Sequence, residues 1–146
     1  MKKIIFGTDG IRGVANRSPI SVEVAVKLGR AVVSVMVKGS IIIGGDSRKS
    51  SPMLMQAVAA GIASAGGDAR LVGVIPTPGV SFLIRNEQAA GGVVVSASHN
   101  PAEDNGLKLF NSKGVLCAES VAEYFVLSEE KAKEVMNFPD PDAFYE

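Results

Sequence analysis

The chain has 146 residues, with 15 Lys plus Arg balanced by 15 Asp plus Glu, and 47% of its residues are apolar. This length fits one compact domain that buries a hydrophobic core. The zero net charge argues against a function in binding nucleic acid or anionic membranes. The single cysteine, Cys117, excludes an internal disulfide and is expected to be a small buried hydrophobe. Lys2-Lys3 precede an apolar run too short for a signal peptide, so we expect a cytoplasmic protein.

The first part of the chain predicts strands that alternate with helices. Ile4–Phe6 is typical of a short strand and leads into a glycine-spaced loop, Gly7–Gly13. Ser21 is the expected N-cap of a helix of about 15 residues, whose apolar side chains recur with the 3.6-residue period. Gly39 is expected to end this helix in a left-handed conformation. Ile41–Ile43 is wholly apolar, as expected of a buried strand.

The same alternation continues along the rest of the chain. Ser51-Pro52 indicates a second helix, with the serine as cap and the proline in the first turn, and Gly66-Gly67 ends it. Thr77-Pro78 repeats the device before a short helix through Leu83 and Ile84. The remaining predicted elements are strands at Ala69–Val74, Gly92–Ser96 and Leu107–Phe110, and a less regular helix at Glu119–Met136.

This order predicts an α/β protein with three αβα layers around a mostly parallel, mixed sheet. Ligands of such sheets gather at loops that leave the carboxyl ends of strands. Three loops of this kind are rich in polar residues: Gly7–Gly13, Gly44–Ser51 and Ala97–Gly106. Residues 1–146 are expected to form one domain, with 137–146 as a linker stub toward a further domain.

The third loop carries a hydroxyl, an imidazole and an ammonium. Ser98 and His99 follow a buried strand, and Asn100 precedes a proline, which favours extended or turn geometry. Asp104-Asn105-Gly106 predicts a turn that would bring Lys108 back beside the serine. Adjacent extended residues point in opposite directions, which argues against an acyl-transfer triad of Ser98 and His99. The open alternatives are a phosphoryl-carrying serine and an ordinary capped turn with a solvated lysine.

The other two loops offer cations that could neutralise a phosphate. Arg12 lies among regularly spaced glycines, and its planar fork suits phosphate oxygens. A flexible turn with an exposed arginine explains the same residues equally well. Arg48 and Lys49 are expected to be solvated. Asp9 and Asp46 are expected to orient the neighbouring arginines rather than to act as acid or base.

Four motifs in order resemble those of the α-D-phosphohexomutases. Phe6–Gly13 resembles their opening motif, and Gly45–Arg48 resembles their second loop, with Gly45 where an arginine is common. Thr77–Gly79 resembles the third motif, and Ser96–Pro101 with Asn105–Lys108 resembles the phosphoserine loop. The combination is most similar to the phosphoglucosamine mutase type, and archaeal phosphomannomutase/phosphoglucomutases come close behind.

The resemblance implies a role for each matching residue. Ser98 would carry a phosphoryl group and pass it to a hexose monophosphate, through a bisphosphate intermediate that moves the group between the 6- and 1-positions of the sugar. Arg12 and Lys108 would hold and polarise the phosphate, and one of them or His99 would manage the acceptor's proton. The residues implied in substrate or phosphate binding are Thr8, Asn100 and Arg48.

The resemblance also implies Mg²⁺ and partner domains. The ion would bridge the phosphate on Ser98 to carboxylates of a second domain, and Asp140 and Asp142 are better explained as a solvated linker. The family has four domains, of which this chain resembles the first, so we expect the chain alone to turn over negligible hexose phosphate. An uncovered apolar surface would favour homo-oligomers. A phosphomannomutase/phosphoglucomutase domain and a non-catalytic binding module with the same fold remain the alternatives.

Overall fold

A computed structural model describes residues 9–36 and 38–117. The predicted strand Ile4–Phe6, the helix Glu119–Met136, the stub 137–146 and Thr8 lie outside these residues. The described elements, in chain order, are β1 (Ile11–Val14), α1 (Val22–Val35), β2 (Ser40–Gly45), α2 (Ser51–Ser64), β3 (Asp68–Val74), α3 (Thr77–Asn86), β4 (Gly91–Val95) and β5 (Asp104–Asn111). In this part of the chain, no helix is long and apolar enough to cross a membrane.

The five strands form one mixed sheet in the order β1-β5-β4-β2-β3. β2 pairs in parallel with β3 and with β4, while β5 pairs antiparallel with β4 and with β1. The wholly buried side chains of β4 are typical of a central strand covered on both faces. Because β2 and β4 are parallel neighbours, the loops that follow them leave the same end of the sheet.

Helices cover both faces of the sheet. α1 and α2 pack on one face, where their apolar side chains meet those of Ile41, Ile43, Val93 and Leu107. α3 packs on the other face through Val80 and Ile84, against Ile42 and Val94. The alternation of neighbouring strand residues between the two clusters follows the two-residue period of a strand. The predicted αβα class is therefore confirmed.

The start of α1 was predicted correctly, and its end was not. The Ser21 hydroxyl accepts a hydrogen bond from the Val24 N–H, as expected of an N-cap. The helix ends at Val35 and is capped by an extended Met36, whose N–H still bonds the Val32 carbonyl. Gly39 therefore does not end the helix; it lies just before β2.

Both proline-led helices form, but neither predicted cap is correct. Ser50 is the N-cap of α2 and Ser51 is already helical, so its hydroxyl is free to bond Asp46 instead. Pro76 is the N-cap of α3, and Thr77 is its first helical residue. The prolines do occupy first turns, because a proline lacks only an N–H that has no partner there.

Two predicted turns are in fact strand. Ile11–Val14, within and just after the glycine-spaced loop, form β1 and pair with β5. Gly10, just before this strand, has a φ of +82°, and a Cβ there would lie 2.1 Å from the Leu107 carbonyl oxygen. Asp104-Asn105-Gly106 begin β5, because pairing with β1 outweighs the local turn preference of these residues.

Candidate active site

The loop after β4 presents Ser98 at the carboxyl end of the sheet. Val95 and Ser96 are buried, whereas Ser98 is exposed. Ser98 has a φ of +54°, which is left-handed. A non-glycine residue pays about 1–2 kcal/mol for this conformation, so surrounding contacts must hold it. The Ser98 N–H donates to the Ser96 Oγ at 3.0 Å, which fixes one of those contacts.

Lys108 reaches the Ser98 hydroxyl from the neighbouring strand. Its Nζ lies 2.8 Å from Ser98 Oγ, and the residue as a whole is only 7% exposed. Burial lowers the pKa of Lys108, and the positive charge of Arg12 lowers it further, against a smaller opposing effect of Asp9 and Asp46. The predicted approach of Lys108 to Ser98 is confirmed, although it results from the antiparallel pairing of β4 and β5.

Arg12 lies on the same face of the sheet as Lys108. Arg12 pairs with Gly106, which lies two residues before Lys108 on β5. Because every second residue of a strand points to the same face, Arg12, Gly106 and Lys108 share one face. A Cβ on Gly106 would lie 3.2 Å from Arg12 Cγ and 2.5 Å from the Ser96 carbonyl oxygen, so the missing side chain makes room for both. The Arg12 Nη1 donates to Asn100 Oδ1 over a long 3.4 Å, and its buried Nε has no hydrogen-bond partner among the described residues.

Asp46, directly after β2, organises the base of the site. Its Oδ1 accepts the Ser51 hydroxyl at 2.6 Å and the Arg48 N–H at 3.1 Å, and its Oδ2 accepts Arg48 Nε at 3.0 Å. Burial raises the pKa of Asp46, but hydrogen bonds from Ser51, the Arg48 amide and Ser96, together with the Arg48 charge, outweigh it. The pKa of Asp46 is therefore below its ordinary value. The expectation that Asp46 orients an arginine is confirmed.

Arg48 is directed at the backbone of the serine loop. Its Nη2 donates to the carbonyl oxygens of Ser98 at 2.8 Å and Asn100 at 3.0 Å, and its Nη1 donates to that of Pro101 at 2.8 Å. With the bond to Asp46, four of its five N–H donors are engaged by described residues. The side chain is 12% exposed, so the expectation of a solvated Arg48 is wrong, whereas its neighbour Lys49 is exposed as expected.

The other predicted site residues lie around this centre. His99 is exposed beside Ser98. Asn100 bridges the loop, because its Nδ2 donates to Asp104 Oδ2 at 3.1 Å while its Oδ1 accepts from Arg12. Thr8 is outside the described residues.

Four residues support the site through contacts that the sequence did not indicate. Asn105 is fully buried, and its Nδ2 donates to the hydroxyls of Ser50 at 2.8 Å and Ser51 at 3.0 Å. Ser96 accepts from the Ser98 amide. The available sequence signal was a run of small polar residues at strand and helix ends. It could not identify their hydrogen-bond partners, which lie about 50 positions away along the chain.

The described residues do not by themselves form a magnesium site. They contain no group of three or more His, Cys, Asp or Glu side chains that could hold a metal ion. Magnesium prefers oxygen ligands, whereas the side chain that bonds the Ser98 hydroxyl is the cation Lys108, with Arg12 on the same face of the sheet. An ion bridging Ser98 would need carboxylates from outside these residues.

Comparison with known families matches this chain to a phosphohexomutase domain. Residues 3–132 match the family "Phosphoglucomutase/phosphomannomutase, alpha/beta/alpha domain I". The chain belongs to this family. The matched residues include Arg12 in β1, Lys108 in β5 and the loops that carry Arg48 and Ser98.

Curated relatives are similar to this phosphohexomutase domain along most of its length. A phosphoglucosamine mutase of Anaeromyxobacter sp. (strain Fw109-5) is 48% identical over 137 residues, which are 89% of this chain and 29% of the relative. That of Heliobacterium modesticaldum is 51% identical over 82% of this chain and 27% of the relative. A solved phosphoglucomutase/phosphomannomutase family protein from Burkholderia thailandensis is 27% identical with a TM-score of 0.71, over 91% of this chain and 30% of that one. The chain thus spans less than a third of these relatives.

This phosphohexomutase domain has Gly45 at a position of the second motif where an arginine is common in the family. The packing around Gly45 explains the difference. Gly45 is buried at the end of β2. A Cβ there would lie 2.9 Å from Met55 Sδ and 3.1 Å from the Val95 carbonyl oxygen. A larger side chain at this position would require the Met55 side chain to move and the Val95 carbonyl to give way slightly.

Proposed function

We propose that this chain is the phosphoserine-bearing domain of a phosphohexomutase of the phosphoglucosamine mutase type, with Ser98 as the phosphoryl carrier. The observation that carries the proposal is the exposed Ser98 hydroxyl 2.8 Å from the Lys108 ammonium. Phosphoryl transfer needs an accessible oxygen, fixed positive charge and an open in-line approach. Among the described residues the Arg12 Nε has no hydrogen-bond partner, and this supports the function because a phosphate oxygen would satisfy it.

Each half of the proposed cycle exchanges one P–O bond for another. A sugar hydroxyl attacks the phosphorus on Ser98, the bond from phosphorus to Ser98 Oγ breaks, and a hexose bisphosphate forms. Lys108 donates its proton to the departing Oγ, and Arg12 neutralises the equatorial oxygens. In the second half, Ser98 attacks the other phosphorus of the bisphosphate and gives its proton back to Lys108. The bond from that phosphorus to the sugar oxygen breaks, and this oxygen takes up the proton that was removed from the attacking hydroxyl in the first half. His99 is the candidate for removing the proton from the sugar hydroxyl.

Further binding roles complete the proposal. Thr8 and Asn100 are proposed to bind phosphate or substrate. The resemblance gives Arg48 the same role, but its bonds to described protein oxygens leave only one guanidinium N–H for a ligand, so positioning of the loop is the role proposed for it below. Mg²⁺ and a cytoplasmic location are proposed through family membership. When bound, the ion would supply Lewis-acid stabilisation of the phosphoryl group. The partners proposed are a hexose phosphate and the remaining domains of the enzyme.

Transfer of a phosphoryl group to Ser98 tests the proposal. The chain is mixed with the remaining domains of the Anaeromyxobacter relative and glucosamine 1,6-bisphosphate, and its intact mass is followed. We expect one added phosphate, located at position 98 by peptide sequencing and absent in Ser98→Ala. Phosphate elsewhere, or none in the wild-type chain, would overturn the function and favour a non-catalytic binding module.

The sugar preference has a separate test, because the solved relative from Burkholderia thailandensis is a phosphoglucomutase/phosphomannomutase family protein. Glucose and mannose 1,6-bisphosphates replace the glucosamine compound in the same assay, and initial rates are compared. The glucosamine compound is expected to react fastest, whereas faster transfer from glucose or mannose would favour the alternative. As a control, each bisphosphate is also tested with the remaining domains of a relative that is named for that sugar. This accounts for the contacts that the sugar makes outside this chain.

A further inference from the structure

The contacts of Arg48 suggest a function other than phosphate binding. All four described hydrogen bonds of its side chain go to protein oxygens: one to Asp46 and three to loop carbonyls at residues 98, 100 and 101. Arg48 lies about 50 positions from these carbonyls, so the bonds join the end of β2 to the loop after β4. Because one guanidinium donates to three carbonyls of the same loop, it fixes the path of the loop backbone.

Hydrogen bonds hold both peptide groups that flank the Ser98 Cα. The Ser98 N–H donates to Ser96 Oγ, and the Ser98 carbonyl accepts Arg48 Nη2. The Ser96 hydroxyl also helps to lower the pKa of the Asp46 carboxyl, which in turn bonds Arg48, so both restraints involve neighbours of Asp46. The left-handed φ of +54° at Ser98 is therefore fixed by Ser96 of the same loop and by Arg48 of the loop after β2, while Lys108 bonds only the Ser98 side chain.

We propose that Asp46 and Arg48 form a clamp that holds the loop 96–101 and keeps Ser98 in its left-handed conformation. Arg48 is then a positioning residue that acts through the backbone of Ser98, and Asp46 orients Arg48. The left-handed conformation turns the hydroxyl out of the strand direction toward Lys108. The clamp rests on the proposed function only for its catalytic consequence, because the conformation itself is a property of the folded chain.

Amide hydrogen exchange tests the clamp without any phosphoryl chemistry. Arg48→Met and the milder Arg48→Lys are compared with Arg70→Met, a matched control on β3 whose surface arginine pairs with Glu87. We expect the Ser98 and Asn100 amides to exchange at least about tenfold faster in both Arg48 variants, with exchange in β4 unchanged. Unchanged exchange at Ser98 in a folded Arg48 variant would overturn the clamp, and Arg48→Lys provides the test if Arg48→Met does not fold.

Kinetics with the remaining domains separate positioning from ligand binding. A positioning role predicts a fall of about tenfold or more in the rate of Ser98 phosphorylation in Arg48→Lys, with the KM for the bisphosphate unchanged. A raised KM with an unchanged maximal rate would identify Arg48 as a phosphate ligand and overturn the inference. If the wild-type chain accepts no phosphate, the proposed function fails, while the exchange experiment still decides on the clamp.

Discussion

Lys108 keeps a positive charge where burial and the neighbouring Arg12 both oppose it. Its lowered pKa means that the folded chain holds this proton less tightly than the unfolded chain. The protonated lysine therefore costs stability below its folded pKa, and that cost disappears as the pH rises from the folded pKa to the ordinary lysine value. A phosphate on Ser98 would offset this cost in stability, because an adjacent anion favours the ammonium form of Lys108.

Replacing this lysine is expected to stabilise the chain while removing its chemistry. Lys108→Met in the unphosphorylated chain should raise the free energy of unfolding at neutral pH by about 1 kcal/mol. The gain should shrink toward alkaline pH, and Ser98 should no longer accept phosphate. Urea unfolding at several pH values measures this, with the exposed Lys113→Met as control. A loss of stability at neutral pH would contradict the account.

At the scale of elements, α1 and α2 cross where two glycines face one another. A Cβ on Gly29 would lie 2.2 Å from the Val58 carbonyl oxygen, and one on Gly61 would lie 2.2 Å from that of Val26. The backbones therefore touch, which lets both helices pack on the same face of the sheet. Arg30 Nε donates to Ser64 Oγ at 2.8 Å beside this crossing and adds a polar link.

A methyl group at the crossing is expected to force the helices apart. Gly61→Ala gains helix propensity of about 1 kcal/mol but must displace a backbone carbonyl, so we expect a net loss of about 2 kcal/mol. Thermal or urea unfolding measures the change, and Ala60→Ser on the exposed side of α2 is the control. Equal stability of Gly61→Ala and wild type would show that the crossing is looser than described.

The elements themselves could be predicted from local patterns, and most of their ends could not. Apolar periodicity located α1, α2 and the central strands, since these patterns are properties of the local sequence. Ser51 appeared to be a cap because nothing local shows that Asp46 accepts its hydroxyl. Arg48 appeared to be solvated for the same reason, because its carbonyl partners are brought close only by the pairing of β2 with β4.

At the scale of the whole molecule, the candidate site combines three distant parts of the chain. Arg12, the Asp46–Arg48 pair and the hairpin with Ser98 and Lys108 meet only in the assembled sheet. The sheet carries the groups proposed to hold a phosphoryl group. The chain's curated relatives are more than three times as long as the chain. Self-association through exposed apolar side chains stays a prediction.

The chain alone is expected to turn over hexose phosphate at least about a thousandfold more slowly than when the remaining domains of a relative are supplied. The physical reason is that a sugar must be oriented against the carrier, and orientation accounts for a large part of catalysis. A coupled assay with glucosamine 6-phosphate and purified chain measures this, and Ser98→Ala with added domains sets the background. Comparable turnover by the chain alone would contradict the prediction.

The β4–β5 hairpin has a consequence for how a carrier of this kind could work. Ser98 and Lys108 are ten positions apart on one hairpin, so their contact is closed within a single supersecondary unit. Any rotation of neighbouring domains would move the oxygen and its counter-charge together. The hairpin could therefore face a sugar bound in either of two orientations, with the same charges around Ser98 in both. Turning the sugar round would then require no rearrangement of the contact between Ser98 and Lys108.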